Sequence, residues 1–324
     1  MRGAELIPAP REYTHGCSLA PMAGFSDSAF RIICRRLGAT SCVTEMVSVQ
    51  GLSRKSAGSC RLLAFSIQEK PLGVQLYGSE PGDFERAAQT VSGMGFDFID
   101  INAGCPVRKV LASRSGAALL LDLPRLLDIV SATSAGAGGL PVTLKIRLGW
   151  DPSRPLPCDI GAMAAARGAS ALAVHGRYRT DMFEGPVRLA EMAGIVEASP
   201  IPVVANGDST SPAAALRMRD SCGATGILAG RGAIGRPWFF RAAAGNGPLE
   251  PYRGELSQVV LSHLSLMRAC MPEPFVFHAF RGQLVHYLKG FRGAASLRSR
   301  AVRVESEADV RDVLEEAAGM SEAV

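Results

Sequence analysis

The chain of 324 residues is poor in aromatic side chains, at 6%, and has no apolar run long enough to cross a bilayer. The stretch from Met1 to Gly16 lacks the apolar core of a secretory leader, so a cytoplasmic protein is expected. The eight cysteines form no C-x-x-C pair and have no histidine at metal-ligand spacing. That argues against a zinc site or an iron–sulfur cluster and predicts reduced thiols, most of them small core residues. No G-x-G-x-x-G follows the first apolar run, which counts against an open dinucleotide-binding sheet. Charged residues make up 20% and hydrophobic ones 47%, as in ordinary soluble globular proteins.

What is present is a repeat of short apolar runs, each followed by a helix-like stretch. The runs are Ser18–Met22, Ser41–Met46, Gly73–Tyr77, Phe98–Asn102, Val142–Arg147, Ala171–His175, Pro202–Asn206 and Gly226–Gly230. They are nearly continuous rather than alternating, the pattern of parallel strands covered on both faces. After Tyr77, Pro81 suits a first helical turn, and Phe84, Ala87, Ala88 and Val91 follow at helical spacing. Eight strand–helix repeats predict a closed (β/α)₈ TIM barrel, with its site at the C-terminal strand ends.

The pattern changes near residue 244. Gly245, Gly247, Pro248, Pro251 and Gly254 make a breaker-rich connection, after which helical stripes dominate. The reading is a catalytic barrel over residues 1–244 and a small all-helical domain over 245–324. Net charge is +5. From Arg281 to Val304 the chain carries Arg281, Lys289, Arg292, Arg298, Arg300 and Arg303 with no Asp or Glu. Such a run suits a nucleic-acid face, and equally a solvated helical face.

The strand ends carry polar or glycine-rich groups: Pro21-Met22-Ala23-Gly24, Glu45-Met46, Gln75-Leu76-Tyr77-Gly78, Asn102-Ala103-Gly104-Cys105-Pro106, Lys145-Ile146-Arg147, His175-Gly176-Arg177, Asn206-Gly207-Asp208 and Gly230-Arg231-Gly232. A ring of them predicts a site for a large polar ligand. The last two groups suit an anion, through glycines that permit close backbone approach and the charge of Arg231. Lys145 stands in a mostly apolar strand, where it requires a partner: a bound anion, or an ion pair such as Glu45 would make. Cys105 sits between Gly104 and Pro106, where the backbone turns and the thiol projects from the strand end. Its ordinary acidity leaves it mostly protonated at neutral pH, as a general acid requires. No base and cation pair suited to a nucleophilic thiolate stands beside it in the sequence.

These segments resemble the tRNA-dihydrouridine synthases. The resemblance is carried by Leu19-Ala20-Pro21-Met22-Ala23-Gly24, by Asp100-Ile101-Asn102-Ala103-Gly104-Cys105-Pro106 with Lys109, and by Leu144-Lys145-Ile146-Arg147. It continues through His175-Gly176-Arg177-Tyr178-Arg179, Asn206-Gly207-Asp208, Gly230-Arg231-Gly232 and Pro237-Trp238-Phe239, in a layout similar to the bacterial B-type branch. It implies an FMN-dependent barrel with a helical tRNA-binding domain, working as a monomer. By that resemblance NADPH or NADH reduces the FMN, the reduced flavin gives hydride to C6 of a D-loop uridine, and Cys105 protonates C5. Asn102 helps place the substrate. Pro21, Met22 and Ala23 line the flavin, Gln75 meets its ring edge, and Lys145 and His175 face it. Asn206, Gly207, Asp208, Gly230 and Arg231 hold the ribityl phosphate, while Arg177, Arg179, Arg281, Lys289, Arg292, Arg298 and Arg300 meet RNA.

Some positions depart from the family pattern. Ala103 stands where Met is usual, and Asp181 and Phe183 where Gln and Tyr are usual. Arg281-Gly282-Gln283-Leu284-Val285-His286-Tyr287 replaces a common Arg-Lys-His-x-x-Trp-Tyr. Asp181 is expected to add negative charge near an RNA path. Two other functions fit parts of the sequence: an FMN barrel that reduces a small pyrimidine or an enone, and an RNA-binding paralogue without catalysis. The basic run and the Cys105 motif oppose the first, and intact Cys105 and Lys145 oppose the second.

Overall fold

A computed structural model describes residues 6–271, 273–290 and 294–321. Eight parallel strands close into a barrel: β1 (Cys17–Leu19), β2 (Cys42–Val43), β3 (Leu72–Tyr77), β4 (Phe98–Ala103), β5 (Val142–Arg147), β6 (Ala169–His175), β7 (Val203–Asn206) and β8 (Gly226–Ala229). Each pairs with its sequence neighbour, and β1 closes the ring against β8. Helices between strands cover the outside; α1 (Ser28–Arg36), α2 (Pro81–Ser92), α3 (Leu123–Gly136) and α4 (Pro212–Cys222) serve here. In α2 the predicted stripe of Phe84, Ala87, Ala88 and Val91 is buried, and Pro81 occupies the first turn.

Four of the expected strands are shorter than their apolar runs, two of them by more than one residue. β1 stops at Leu19; the Ala20 N–H still reaches Ala229 O at 2.8 Å, and Pro21 then has no N–H to continue the ladder. The second run breaks after Val43, where the Thr44 hydroxyl accepts the Gln75 N–H at 3.0 Å. Pairing with β3 resumes at Val47–Ser48. A small antiparallel ribbon, Gly149–Asp151 with Arg154–Pro155, was not anticipated.

Alternate residues of each strand face the barrel axis. The floor is apolar: Val43, Phe98, Ala173, Val204 and Leu228 pack together with Tyr13, whose ring lies 4.6 Å from that of Phe98. Gly73 belongs there because a Cβ would fall 2.3 Å from the Phe98 ring. Above this floor the inward positions turn polar.

After a turn-rich connection the chain forms four helices: α5 (Glu255–Cys270), α6 (Glu273–Tyr287), α7 (Ala294–Ala301) and α8 (Glu307–Ser321). Val260, Leu264, Met267, Phe280, Leu284, Leu297, Val313 and Leu314 make their common core, which takes in Trp238 and Ala29 from the barrel side. Before α8 the Ser306 hydroxyl accepts the Asp309 N–H while Asp309 accepts that of Ser306. Gln283 Nε2 donates to Phe25 O at 3.1 Å, and the His286 ring meets the Phe25 ring edge-on. Two of the departures in α6 therefore serve the contact with the loop after β1. Among the described residues no helix is long and apolar enough to cross a membrane.

Candidate active site

Strand register builds the site in two tiers. Gln75, Asp100 and Thr143 stand side by side on β3, β4 and β5. Asp100 accepts from Gln75 Nε2 and from Thr143 Oγ1, each at 2.6 Å. One tier nearer the mouth, Asn102 stands opposite Lys145. Asn102 Nδ2 donates to Gln75 Oε1 at 2.8 Å, and its Oδ1 accepts the N–H groups of Gly104 at 3.2 Å and Cys105 at 3.0 Å. From the other side Arg147 Nε donates to Gly104 O at 2.8 Å. The turn that presents the Cys105 thiol is thus held from both sides.

Across the mouth, Lys145 Nζ donates to Asn206 Oδ1 at 3.1 Å, and Asn206 Nδ2 donates to Leu228 O at 2.7 Å. The Glu45 carboxylate, considered in the sequence as a partner for Lys145, instead accepts the Gly24 N–H at 2.5 Å. These groups surround a cavity of about 460 Å³. Pro21, Met22, Ala23, Gln75, Asn102, Cys105, Lys145, His175, Arg177, Asn206, Gly207, Asp208, Gly230 and Arg231 all line it. So do Met46 and Arg147, which the sequence placed at strand ends without a role, and Phe25 and Phe183, which it did not place in the site. Alternation along β5 also marks Arg147, two residues beyond Lys145; no such signal marks Phe25 or Phe183.

Burial sets the electrostatics. Desolvation, reinforced by Arg147, lowers the Lys145 ammonium to about 8. Desolvation and then Lys145, Arg147, Arg177 and Arg231 hold His175 well below its ordinary range, so its imidazole is neutral. Arg177 Nη1 lies 3.3 Å from His175 Nε2 and can only donate, which puts the imidazole proton on Nδ1. Burial raises the Cys105 thiol although the Val107 N–H, Lys145 and Arg147 pull it down. The cations the sequence did not reveal are there, and desolvation outweighs them.

The glycines at the last two strand ends have different causes. Gly207 has φ +144°, a backbone that L side chains rarely adopt, and a Cβ on Gly232 would fall 1.7 Å from Ser209 O. A Cβ on Gly230 would meet only Met22 Sδ at 3.5 Å and Ala20 Cβ at 3.8 Å. Packing does not demand a glycine there. Asp208 pairs with Arg177 at 2.5 Å and approaches Arg231 at 3.8 Å, so its charge is compensated where the cavity would take an anion.

Asp181 is likewise compensated. Desolvation would raise it, but hydrogen bonds from Arg188 and the Tyr178 N–H outweigh that and lower it. It orders the loop that carries Phe183, whose ring lies under the guanidinium groups of Arg147 at 5.4 Å and Arg231 at 5.7 Å.

The basic residues divide. Arg177 is buried, and Arg179 lies over the Trp150 ring at 4.6 Å. Arg281 donates to Val304 O at 3.0 Å and lies 3.6 Å from Glu305, while Arg300 pairs with Glu316. The acid-free window in the sequence is therefore not acid-free in space. Lys289 and Arg298 have no ion-pair partner among the described residues; Arg292 lies outside them. Lys289 borders a second cavity of about 470 Å³, with Phe25, Arg231, Arg236 and His286, next to the mouth of the first.

The chain matches the family model described as dihydrouridine synthase over residues 18–322. It is 37% identical over 293 residues to tRNA-dihydrouridine synthase B of Pseudomonas aeruginosa, covering 89% of this chain and 88% of that one. A probable tRNA-dihydrouridine synthase of Rhodobacter capsulatus is 38% identical over 296 residues, 90% of each chain. Among solved structures, histamine dehydrogenase from Rhizobium sp. 4-9 superimposes with a TM-score of 0.56 at 15% identity, covering 81% of this chain and 51% of that longer one. This last likeness concerns the fold.

Proposed function

The chain belongs to the dihydrouridine synthase family and is an oxidoreductase, and from that premise we propose how its cavity reduces uridine in tRNA to dihydrouridine. The observation that carries the reading is the convergence on one cavity of a partly buried thiol, a buried cation, a neutral imidazole and a glycine that packing does not require.

FMN fits this donor set. Pro21, Met22 and Ala23 would line the flavin, Gln75 would meet its edge, and Lys145 and His175 would face it. Asn206, Gly207, Asp208, Gly230 and Arg231 would hold its phosphate, with Gly230 leaving the room. When bound, FMN supplies the hydride for C6 of the uracil, and NADPH or NADH restores it. Lys145 would stabilise negative charge on the ring edge, in a setting where burial strengthens the interaction. Cys105 gives its Sγ proton to C5, and burial keeps that proton in place at neutral pH. Asn102 fixes the Cys105 backbone and would orient the base by exchanging its weak Nδ2 contact with Met46 Sδ for a carbonyl oxygen. Phe183 and the second cavity lie on the approach, where Arg231, Arg236 and Lys289 would meet phosphates. The protein would work as a monomer in the cytoplasm.

Rapid mixing tests this reading. Cys105→Ala should still bind FMN and accept electrons from the nicotinamide. Its reoxidation by tRNA should slow by about 10²–10⁴-fold, the usual worth of a general acid. Free uridine should be a poor substrate for the unsubstituted enzyme. Normal reoxidation of Cys105→Ala by tRNA would overturn the proton-donor role; equal turnover of free uridine would favour a small-pyrimidine reductase.

A further inference from the structure

Asp100 lies below the cavity, fully buried. It is not among its lining residues, and the chemistry above gives it no task. We infer that Asp100 is a positioning residue: as an acceptor it fixes the orientation of two amides in series, Gln75 and Asn102, and through them holds the turn that presents the Cys105 thiol.

The argument is one of donor and acceptor matching. A carboxylate can only accept hydrogen bonds. The atom of Gln75 that meets Asp100 Oδ2 at 2.6 Å must therefore be Nε2, which leaves Oε1 toward Asn102. An amide oxygen can only accept, so Asn102 must present Nδ2 to it, at 2.8 Å. Asn102 Oδ1 is then turned to the N–H groups of Gly104 and Cys105. Reverse the first amide and the second reverses too, setting an NH₂ group against two N–H donors. A buried donor facing a donor loses its hydrogen bond without gaining one to water, which loosens the turn.

The same matching says what the cavity sees. Each amide nitrogen has two hydrogens. One hydrogen of Gln75 goes to Asp100, leaving a single N–H for a ligand; those of Asn102 go to Gln75 and, weakly, to Met46 Sδ at 3.9 Å, an acceptor that a carbonyl oxygen can replace. Both residues are thereby set as donors, suited to carbonyl oxygens of a flavin or a pyrimidine.

Asp100 keeps its charge by local means. Burial raises its carboxyl to about 6, while hydrogen bonds from Gln75 and Thr143, and then Lys145, oppose the rise. The groups facing it are Gln75 on β3, Thr143 and Lys145 on β5, and Tyr13 from the floor. At neutral pH the carboxylate is ionised and the relay is set. Near pH 6 a proton on Asp100 can turn it into a donor and remove the constraint on Gln75.

The inference rests on the reading of Cys105 as proton donor, so its test includes a readout that does not use that reading. In the FMN-loaded protein, Asp100→Asn, which can meet Gln75 with either atom, should speed hydrogen exchange at the Gly104 and Cys105 amides by about tenfold. It should slow reoxidation by tRNA at pH 8 by a similar factor. The unsubstituted enzyme should lose reoxidation rate below about pH 6, a limb that Asp100→Asn lacks. Thr143→Val, which leaves the carboxylate but removes one donor, should move that limb upward in pH. Unchanged exchange at both amides in Asp100→Asn, or an acid limb that Thr143→Val does not move, would overturn the relay. A fully active Cys105→Ala would overturn the proton-donor role and leave the exchange result standing.

Discussion

At the barrel mouth, Lys145 and Arg147 are enclosed by protein with no carboxylate in ion-pair distance among the described residues, and each is met by amide or carbonyl oxygens. In the helical region, Arg268, Arg300 and Arg311 face Glu273 and Glu307, Glu316, and Glu307 at the surface. The first arrangement leaves positive charge uncompensated in a poorly solvated place. There each group is shifted strongly, and an anion gains most by binding. The second gives exposed pairs that contribute little to stability, readily exchanged for phosphates and screened by salt. The difference separates a region built to change acidities from one that presents charge to a large polyanion.

Replacing the buried cation should give the largest effects. Lys145→Met should weaken FMN binding by roughly 10–100-fold, as expected for a lost charge-assisted contact. The same change sharpens the contrast through stability without cofactor. The folded-state value of Lys145, about 8, lies below its ordinary 10.5. Between those values the unfolded chain binds more protons than the folded one, so this group's contribution to stability rises with pH across that window. The rise amounts to at most about 3 kcal/mol. Denaturant melts of cofactor-free protein between pH 7.5 and 10.5 should show it, and Lys145→Met should lack it; identical pH profiles would place the lysine in solvent.

Effects on the exposed side should be smaller and should depend on salt. Lys289→Gln combined with Arg298→Gln should lower the slope of log affinity for tRNA against log salt by roughly 0.7–0.9 per lost phosphate contact. Arg300→Gln should change it less, because Glu316 already holds that guanidinium. Equal losses from the paired and unpaired positions would break the comparison.

The site was legible where one strand supplied both position and chemistry. Asn102, Lys145, His175 and Asn206 each stand on the inward face at or within two residues of a strand end, so their place followed from the strand pattern, and strand register brings them together. Asp100 was quoted only as part of a motif. Its meaning lies in lateral pairing with Gln75 and Thr143, residues 25 positions before it and 43 after it. Partners distant along the chain were likewise hidden: Glu45 turned to Gly24, Glu316 to Arg300, and Phe25 to His286. The second cavity joins segments more than 250 residues apart, and no local pattern announces it. Strand ends misread at Met22 and Met46 came from apolar runs that continue after the hydrogen-bond ladder has stopped.

The account depends most on Cys105 being a thiol rather than a thiolate when substrate arrives. Comparing the ultraviolet thiolate absorbance of the FMN-loaded protein with that of its Cys105→Ser form, as a function of pH, isolates this one group. Burial should keep it protonated through neutrality, with a midpoint above its ordinary 9.0. A midpoint below pH 7 would show that Lys145 and Arg147 prevail over desolvation, and would contradict the general-acid role.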